Sequence, residues 1–134
     1  MFERLFKKKP VPLTGAPAVR RQKTYNAQSG YVYQYHYEGH RPYRRDAEEG
    51  SEFVFDVSAD RKTSAPVSVF VLDEAVRTWE QQHGRELVTT ERYAAAKIAL
   101  FQAFDERANP GLMKQDIRVR AADIEAILAG LGID

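Results

Sequence analysis

The sequence contains no cysteine, which excludes disulfide bonds, a thiolate nucleophile and Cys-ligated zinc sites. No stretch approaches the roughly 18 apolar residues that a membrane-spanning helix needs, and Met1 to Pro10 lack the apolar run of a signal peptide. Glycine-rich phosphate loops, a G-x-S-x-G elbow and an H-E-x-x-H helix are also missing. We therefore expect a cytoplasmic protein of bacterial type, without a cofactor, that more closely fits a binding domain than an enzyme.

Length and composition indicate one packed domain. The chain has 134 residues, of which 43% are hydrophobic and 29% charged, as in ordinary globular proteins. Neither an internal repeat nor a second domain fits this length. The sequence therefore predicts a single core.

Positive charge is concentrated at the N-terminus. Residues 1–23 carry seven basic side chains against Glu3 alone, a net charge of +6, whereas the whole chain has a net charge of +1. The same segment holds three prolines, which disfavour a helix or a central strand. We predict that residues 1–23, here called the arm, are basic and flexible, and that residues 24–134 form a single α+β domain.

Strand patterns follow the arm. Four tyrosines alternate with Val32, Gln34, His36 and Glu38 over 31–38, and this period of two predicts a β-strand. The run AEEG at 47–50 predicts a turn, after which Phe53, Phe55 and Val57 share one face of a second strand. A third strand is predicted over 66–72, beyond a polar loop.

Helical periodicity replaces the strand pattern after residue 72. Asp73 is placed to cap one helix and Gly84 to end it. Thr89 or Thr90 is placed to cap a second, alanine-rich helix. A short strand over 117–119 and a final helix complete the order.

Strands grouped before helices predict an α+β fold, with an antiparallel meander of three to four strands and two to three helices packed on one face. The predicted helix side of the core is Trp79, Phe101 and Phe104. The predicted sheet side is Phe53, Phe55 and either Val69 or Phe70. Open edges of such a small sheet make a homodimer plausible.

The first strand carries residue types that stack on bases and pair with phosphates. These candidate partner-binding or nucleic-acid-binding residues are Tyr31, Tyr33, Tyr35, Tyr37, Arg41, Tyr43, Arg44 and Arg45. An alternative is that the tyrosine stripe forms the apolar layer under the helices. The sequence leaves both open.

His36, Glu38 and His40 occupy alternate positions of the same strand. Side chains at alternate positions share a face, and imidazole and carboxylate are common metal ligands. Strand residues four apart lie about 13 Å apart, so both histidines reach one ion only if the strand bends, for example at Gly39. A small metal site is therefore one hypothesis, and a solvated polar surface is the other.

Arg41 and Arg45, spaced R-x-x-x-R, and the later Asp56-Val57-Ser58 resemble a fragment of the PilZ cyclic-dinucleotide signature. The sequence departs from that signature at Arg61, where the family has glycine, and only about one strand separates the two motifs. We therefore assign no family from the sequence.

Taken together, these patterns predict a non-enzymatic accessory or binding domain that contacts a macromolecular partner. A protein partner is the first expectation. Nucleic acid is the alternative, bound through the arm and the Tyr/Arg-rich strand. An anionic membrane surface is a third possibility, because Phe2, Leu5 and Phe6 precede Lys7 to Lys9.

Overall fold

The computed structural model describes residues 11–134. The elements are, in chain order, β1 (Lys23–Asn26), β2 (Val32–Arg45), β3 (Glu48–Ser58), β4 (Ala65–Leu72), α1 (Asp73–His83), α2 (Thr89–Glu106), a 310 helix (Pro110–Lys114), β5 (Ile117–Val119) and α3 (Ala121–Gly130). The predicted α+β class is confirmed, and no helix within the described residues is long and apolar enough to cross a membrane.

All five strands form one mixed sheet, curled into a half-barrel, in the order β1-β2-β3-β4-β5. The first three pairings are antiparallel and β4 pairs with β5 in parallel. The predicted antiparallel meander of three to four strands is thus correct only in part. The connection from β4 to β5 contains α1, α2 and the 310 helix, and such a crossover brings the chain back in the parallel direction.

The core lies between the helices and one face of the sheet. Phe53, Phe55 and Val69 are buried there, together with Trp79 and Phe104 from α1 and α2. These five predicted core residues are confirmed, and Phe101, the sixth, is partly buried against the same core. Of the two residues left open in β4, Val69 faces the helices, whereas Phe70 contacts Tyr43 and Arg118 on the outer face of the sheet.

The β2–β3 turn lies earlier than predicted. Its two unpaired residues are Asp46 and Ala47, and Glu48 already pairs with Arg45. Asp46 has a φ of 55°, a left-handed conformation that suits two-residue hairpins and that Asp tolerates. The predicted turn at 47–50 is wrong because most of that run belongs to β3.

The two threonines and the aspartate predicted as caps are the first residues inside their helices. The N-cap positions are Leu72 for α1 and Val88 for α2, and neither supplies a side-chain cap. Glu91 instead accepts the backbone N–H of Val88 (3.1 Å), which satisfies one donor at the start of α2. Gly84, with a φ of 68°, ends α1 as predicted.

An extra residue in β2 divides the strand into two halves. The register with β3 shifts between Tyr37 and Gly39, which leaves Glu38 as a bulge. Because successive strand side chains point to opposite faces, one inserted residue moves every later side chain to the other face. His40 therefore lies on the helix-facing side of the sheet. Arg41 and Tyr43 both lie on the outer face.

The described part of the arm runs along the free edge of β2. Thr14 and His40 exchange two backbone hydrogen bonds (2.9 and 2.8 Å), and β1 begins at Lys23. The two contacts fix both ends of the segment between them. The predicted apolar and basic cluster formed by Phe2, Leu5, Phe6 and Lys7 to Lys9 lies outside the described residues.

Candidate functional site

The predicted tyrosine stripe contributes mostly to the core. Tyr33 is completely buried and stacks on Phe104, with ring centroids 4.2 Å apart. Tyr35 is 5% exposed, Tyr37 is half-buried and Tyr31 is exposed at the start of the strand. Base stacking needs an open ring face, and Tyr33 does not offer one.

The arginines after the bulge lie where carboxylates of β3 neutralise them. Arg41 Nε donates to Glu52 Oε1 (2.8 Å), and the exposed Arg44 lies 3.3 Å from Glu49. The Tyr43 hydroxyl donates to Glu48 (3.2 Å), which also pairs with Arg118. Arg45 is exposed next to the turn. Charge at this end of the β2–β3 hairpin is therefore largely balanced within the sheet.

The three residues predicted as metal ligands do not converge. His36 contacts Glu38, but the bulge places His40 on the other face, where its ring stacks on Phe53 (5.4 Å). Within residues 11–134, no group of three or more His, Asp or Glu side chains has the arrangement of a metal site. The described part of the chain thus gives the metal hypothesis no support.

A cavity does form where the arm leaves the sheet. β1 pairs with β2 only as far as the pair Lys23 and Tyr35, and the arm rejoins the strand edge at His40. Between these points lies a cavity of about 480 Å³, lined by the arm, β2 and the start of α2. We call this cavity the arm pocket.

The arm pocket is built from three parts of the chain that are far apart in sequence: the arm and the first residue of β1, the middle of the sheet, and the first turn of α2. Its lining residues are Gly15, Pro17, Val19, Arg20, Arg21 and Lys23; Tyr35, His36, Tyr37, His40 and Phe53; and Thr89, Thr90 and Tyr93. Its volume and partly apolar lining are typical of small-molecule sites, which often lie at the mouths of barrels.

Aromatic side chains form the floor. Tyr37 and Tyr93 lie 4.7 Å apart between ring centroids, and Tyr37 shares a hydrogen bond with His40 (3.0 Å between the hydroxyl oxygen and Nδ1). Burial raises the pKa values of Tyr35, Tyr37 and Tyr93. Their hydroxyls therefore stay protonated near neutral pH and can donate hydrogen bonds.

Positive charge forms the arm side of the pocket. Arg20, Arg21 and Lys23 line it, and no carboxylate does. Glu38 lies near this wall, 3.7 Å from Arg20; within residues 11–134, neither Arg21 nor Lys23 has a carboxylate within 4.0 Å. Four other concave surfaces in the described part of the chain each contain at least one Asp or Glu.

Two further features add to this positive character. Thr89 and Thr90 are the first residues of α2, where backbone N–H groups lack partners inside the helix and carry partial positive charge. Lys97 lies on α2 close to Lys23. Burial and the neighbouring Lys23 ammonium lower the pKa of Lys97. Cationic groups thus lie close together here without compensating acids in the lining.

Part of this site is predicted by the sequence. The basic arm is predicted to contact an anionic partner, and Tyr35 and Tyr37 are candidate binding residues. The sequence does not indicate that Thr89, Thr90 and Tyr93 are site residues, because the first turns of an amphipathic helix do not show which strand edge the helix faces. Comparison with protein families, curated proteins and solved structures finds no significant match to this chain.

Proposed function

We propose that this chain is a non-enzymatic binding domain and that the arm pocket holds the anionic group of its ligand. The observation that carries the proposal is the lining of the pocket, which has three cationic side chains and no carboxylate. A carboxylate or phosphate placed there would gain charge-assisted hydrogen bonds from groups that lack an acidic partner in the lining. The protonated tyrosine hydroxyls add neutral donors.

The apolar floor indicates that the ligand also has an uncharged part. Tyr37, His40 and Tyr93 line the pocket and are half-buried, so their rings keep surface in contact with water. A simple inorganic ion would leave this surface wet, whereas an organic anion would cover it and gain about 25 cal/mol for each Å² removed from water. The proposed ligand is therefore a small organic anion, free or presented by a larger molecule.

The organic anion would belong to a macromolecular partner when a larger molecule presents it to the arm pocket. A protein or nucleic acid would reach the arm pocket through one anionic group, because Arg41 and Arg44 are already paired with carboxylates of β3. The basic arm would then increase the association rate through long-range attraction, with strong dependence on salt.

The test is an NMR titration of the full-length, 15N-labelled protein with phenyl phosphate and, as its uncharged counterpart, benzyl alcohol. Phenyl phosphate should shift the amide signals of Gly15, Thr89 and Thr90, and benzyl alcohol should not at equal concentration. Arg21→Gln should weaken phenyl phosphate binding by about threefold, since an exposed ion pair contributes up to about 1 kcal/mol.

Arg77→Gln is the matched control, because Arg77 is an exposed cation on α1, outside the arm pocket. This variant has the same change in net charge and should bind phenyl phosphate like the unmodified protein. Equal weakening by Arg21→Gln and Arg77→Gln would show that net charge, and not the pocket, attracts the anion. Absence of amide shifts at Gly15, Thr89 and Thr90 would contradict the proposal outright.

A further inference from the structure

The arm pocket differs from an acyl-chain site in the kind of apolar surface that it offers. Six of the residues that line it carry aromatic or imidazole rings, and its aliphatic side chains are Pro17 and Val19 on the arm. Val19 is 69% exposed and does not belong to the floor. A flexible alkyl chain would therefore meet ring faces and edges.

The rings of Tyr37 and Tyr93 are held in fixed positions, and part of the surface of each ring remains exposed. Tyr37 packs on Phe55 (5.4 Å between centroids) and on Tyr93 (4.7 Å), and it is tied to His40 by the 3.0 Å hydrogen bond. Tyr37, Tyr93 and His40 are all half-buried, whereas Phe53 beneath them is 1% exposed. Ring surfaces held in this way bind a planar partner at a low cost in conformational entropy.

From this arrangement we infer that the ligand of the arm pocket is an aromatic anion, with a planar ring against Tyr37 and Tyr93 and its carboxylate or phosphate at Arg21 and Lys23. The inference rests on the proposed function, because it assumes that the pocket binds an organic anion. It adds the chemical class of the uncharged part. Offset or edge-to-face contact between rings stabilises such a ligand beyond simple burial of area.

The experiment compares phenyl phosphate with cyclohexyl phosphate, measured by the same NMR titration of the full-length protein. The two esters have the same number of carbon atoms and, at a pH above the second pKa of both, the same phosphate charge, and the saturated ring is the more hydrophobic. Burial of area alone therefore favours cyclohexyl phosphate. Ring contact favours phenyl phosphate, which should bind about fivefold more tightly.

Two variants of one residue assign the preference to the pocket. Tyr93→Phe keeps the ring and should keep the preference for phenyl phosphate, even if the lost hydroxyl weakens both esters. Tyr93→Leu removes the ring and should bring the two affinities to within about twofold. Amide spectra of both variants should match the parent outside the pocket, since Tyr93 is only half-buried.

The outcomes separate the inference from the proposed function. Cyclohexyl phosphate bound as tightly as phenyl phosphate or more tightly, with both weakened by Arg21→Gln, would overturn the aromatic preference and leave anion binding intact. A preference for phenyl phosphate that persists in Tyr93→Leu would also overturn the inference. If neither ester shifts the pocket amides, the proposed function and the inference both fail.

Discussion

His40 interacts with three neighbouring residues through its backbone and its side chain. Its backbone pairs with Thr14, its ring stacks on Phe53 and its Nδ1 bonds with the hydroxyl of Tyr37. A histidine on a solvated strand face would have none of these contacts. Its role is therefore to join the arm, the core and the floor of the arm pocket.

Asp60 is a second residue whose role depends on local hydrogen bonds. Its carboxylate accepts the backbone N–H groups of Thr63 and Lys62 (2.8 Å each), the hydroxyl of Thr63 (3.0 Å) and that of Ser58 (3.3 Å). These donors lower the pKa of Asp60 from its ordinary value of 3.8 to about 2. The β3–β4 loop is thus organised around one ionised side chain.

This lowered pKa predicts how the stability of the loop depends on pH. A carboxyl whose folded pKa is below its unfolded pKa contributes stability above the unfolded value, and that contribution is lost as the pH falls through the folded value. The window runs from 3.8 down to about 2. Asp60→Asn should lower the free energy of unfolding at neutral pH and should flatten its pH dependence within that window.

Urea unfolding at a series of pH values checks this expectation. Asp46→Asn is the control, because Asp46 is an exposed aspartate at the β2–β3 turn and asparagine tolerates its left-handed backbone. The control should follow the parent curve. A pH dependence unchanged by Asp60→Asn would show that the carboxylate does not hold the loop.

At the scale of elements, the bulge in β2 has the largest consequence. Gly39 follows the bulge with a φ of 125°, and a Cβ built on it would lie 2.7 Å from the carbonyl oxygen of Thr14. Glycine therefore allows both the backbone conformation and the close passage of the arm. Without this crossing, Thr14 would not pair with His40 and the arm pocket would lose one end.

Gly39→Ala should consequently destabilise the domain and release the arm. The free energy of unfolding should fall by about 1–3 kcal/mol, the usual range for a strained backbone position. Trypsin should also cut faster at Arg20 or Arg21, because the arm would no longer be held at Thr14.

Gly30→Ala is the matched control for Gly39→Ala. Gly30 also has a positive φ, 98°, but nothing lies within 4 Å of a Cβ placed there. It measures the backbone strain alone, so its proteolysis should resemble that of the parent. If both variants are cut at the parent rate, contact with Thr14 does not hold the arm.

β1 depends on residues that are distant in the sequence. Its four residues give no alternating pattern of apolar side chains, so the sequence does not predict a strand there. In the structure, the Tyr25 hydroxyl donates to Asp105 Oδ2 (2.7 Å), the Gln28 N–H donates to Oδ1 (2.8 Å), and the Tyr25 ring stacks on Phe101 (4.4 Å). Contacts with α2 thus fix this hairpin.

At the scale of the whole molecule, the distribution of charge matters more than its sum. The arm has a net charge of +6 in a chain whose total is +1, so the remaining residues are acidic overall. On the outer face of the sheet, carboxylates pair with Arg41 and Arg118. The arm cations at the pocket are less well compensated.

Heparin chromatography tests this asymmetry. The triple variant Arg20→Gln, Arg21→Gln, Lys23→Gln should elute at a lower sodium chloride concentration than the parent. A second triple variant, Arg77→Gln, Lys114→Gln, Arg120→Gln, changes the net charge equally at exposed positions outside the arm and should shift less. Equal shifts would mean that net charge alone governs binding to a polyanion.

The sequence by itself determined the α+β class, the helix-facing side of the core and the basic character of the arm. These features depend on local periodicity and charge: alternate positions in β3, apolar residues three and four apart in α1 and α2, and lysine or arginine near the N-terminus. Because these features depend on residues that are neighbours in the sequence, the sequence alone predicts them.

Only the tertiary structure decided the position of β1, the parallel pairing of β5, the flipped half of β2 and the arm pocket. Each depends on contacts between distant residues: Tyr25 with Asp105, Thr14 with His40, and the arm with the start of α2. The bulge illustrates the reason, because one unpaired residue, Glu38, exchanges the faces of every side chain that follows while leaving the alternating pattern of the strand unchanged on either side.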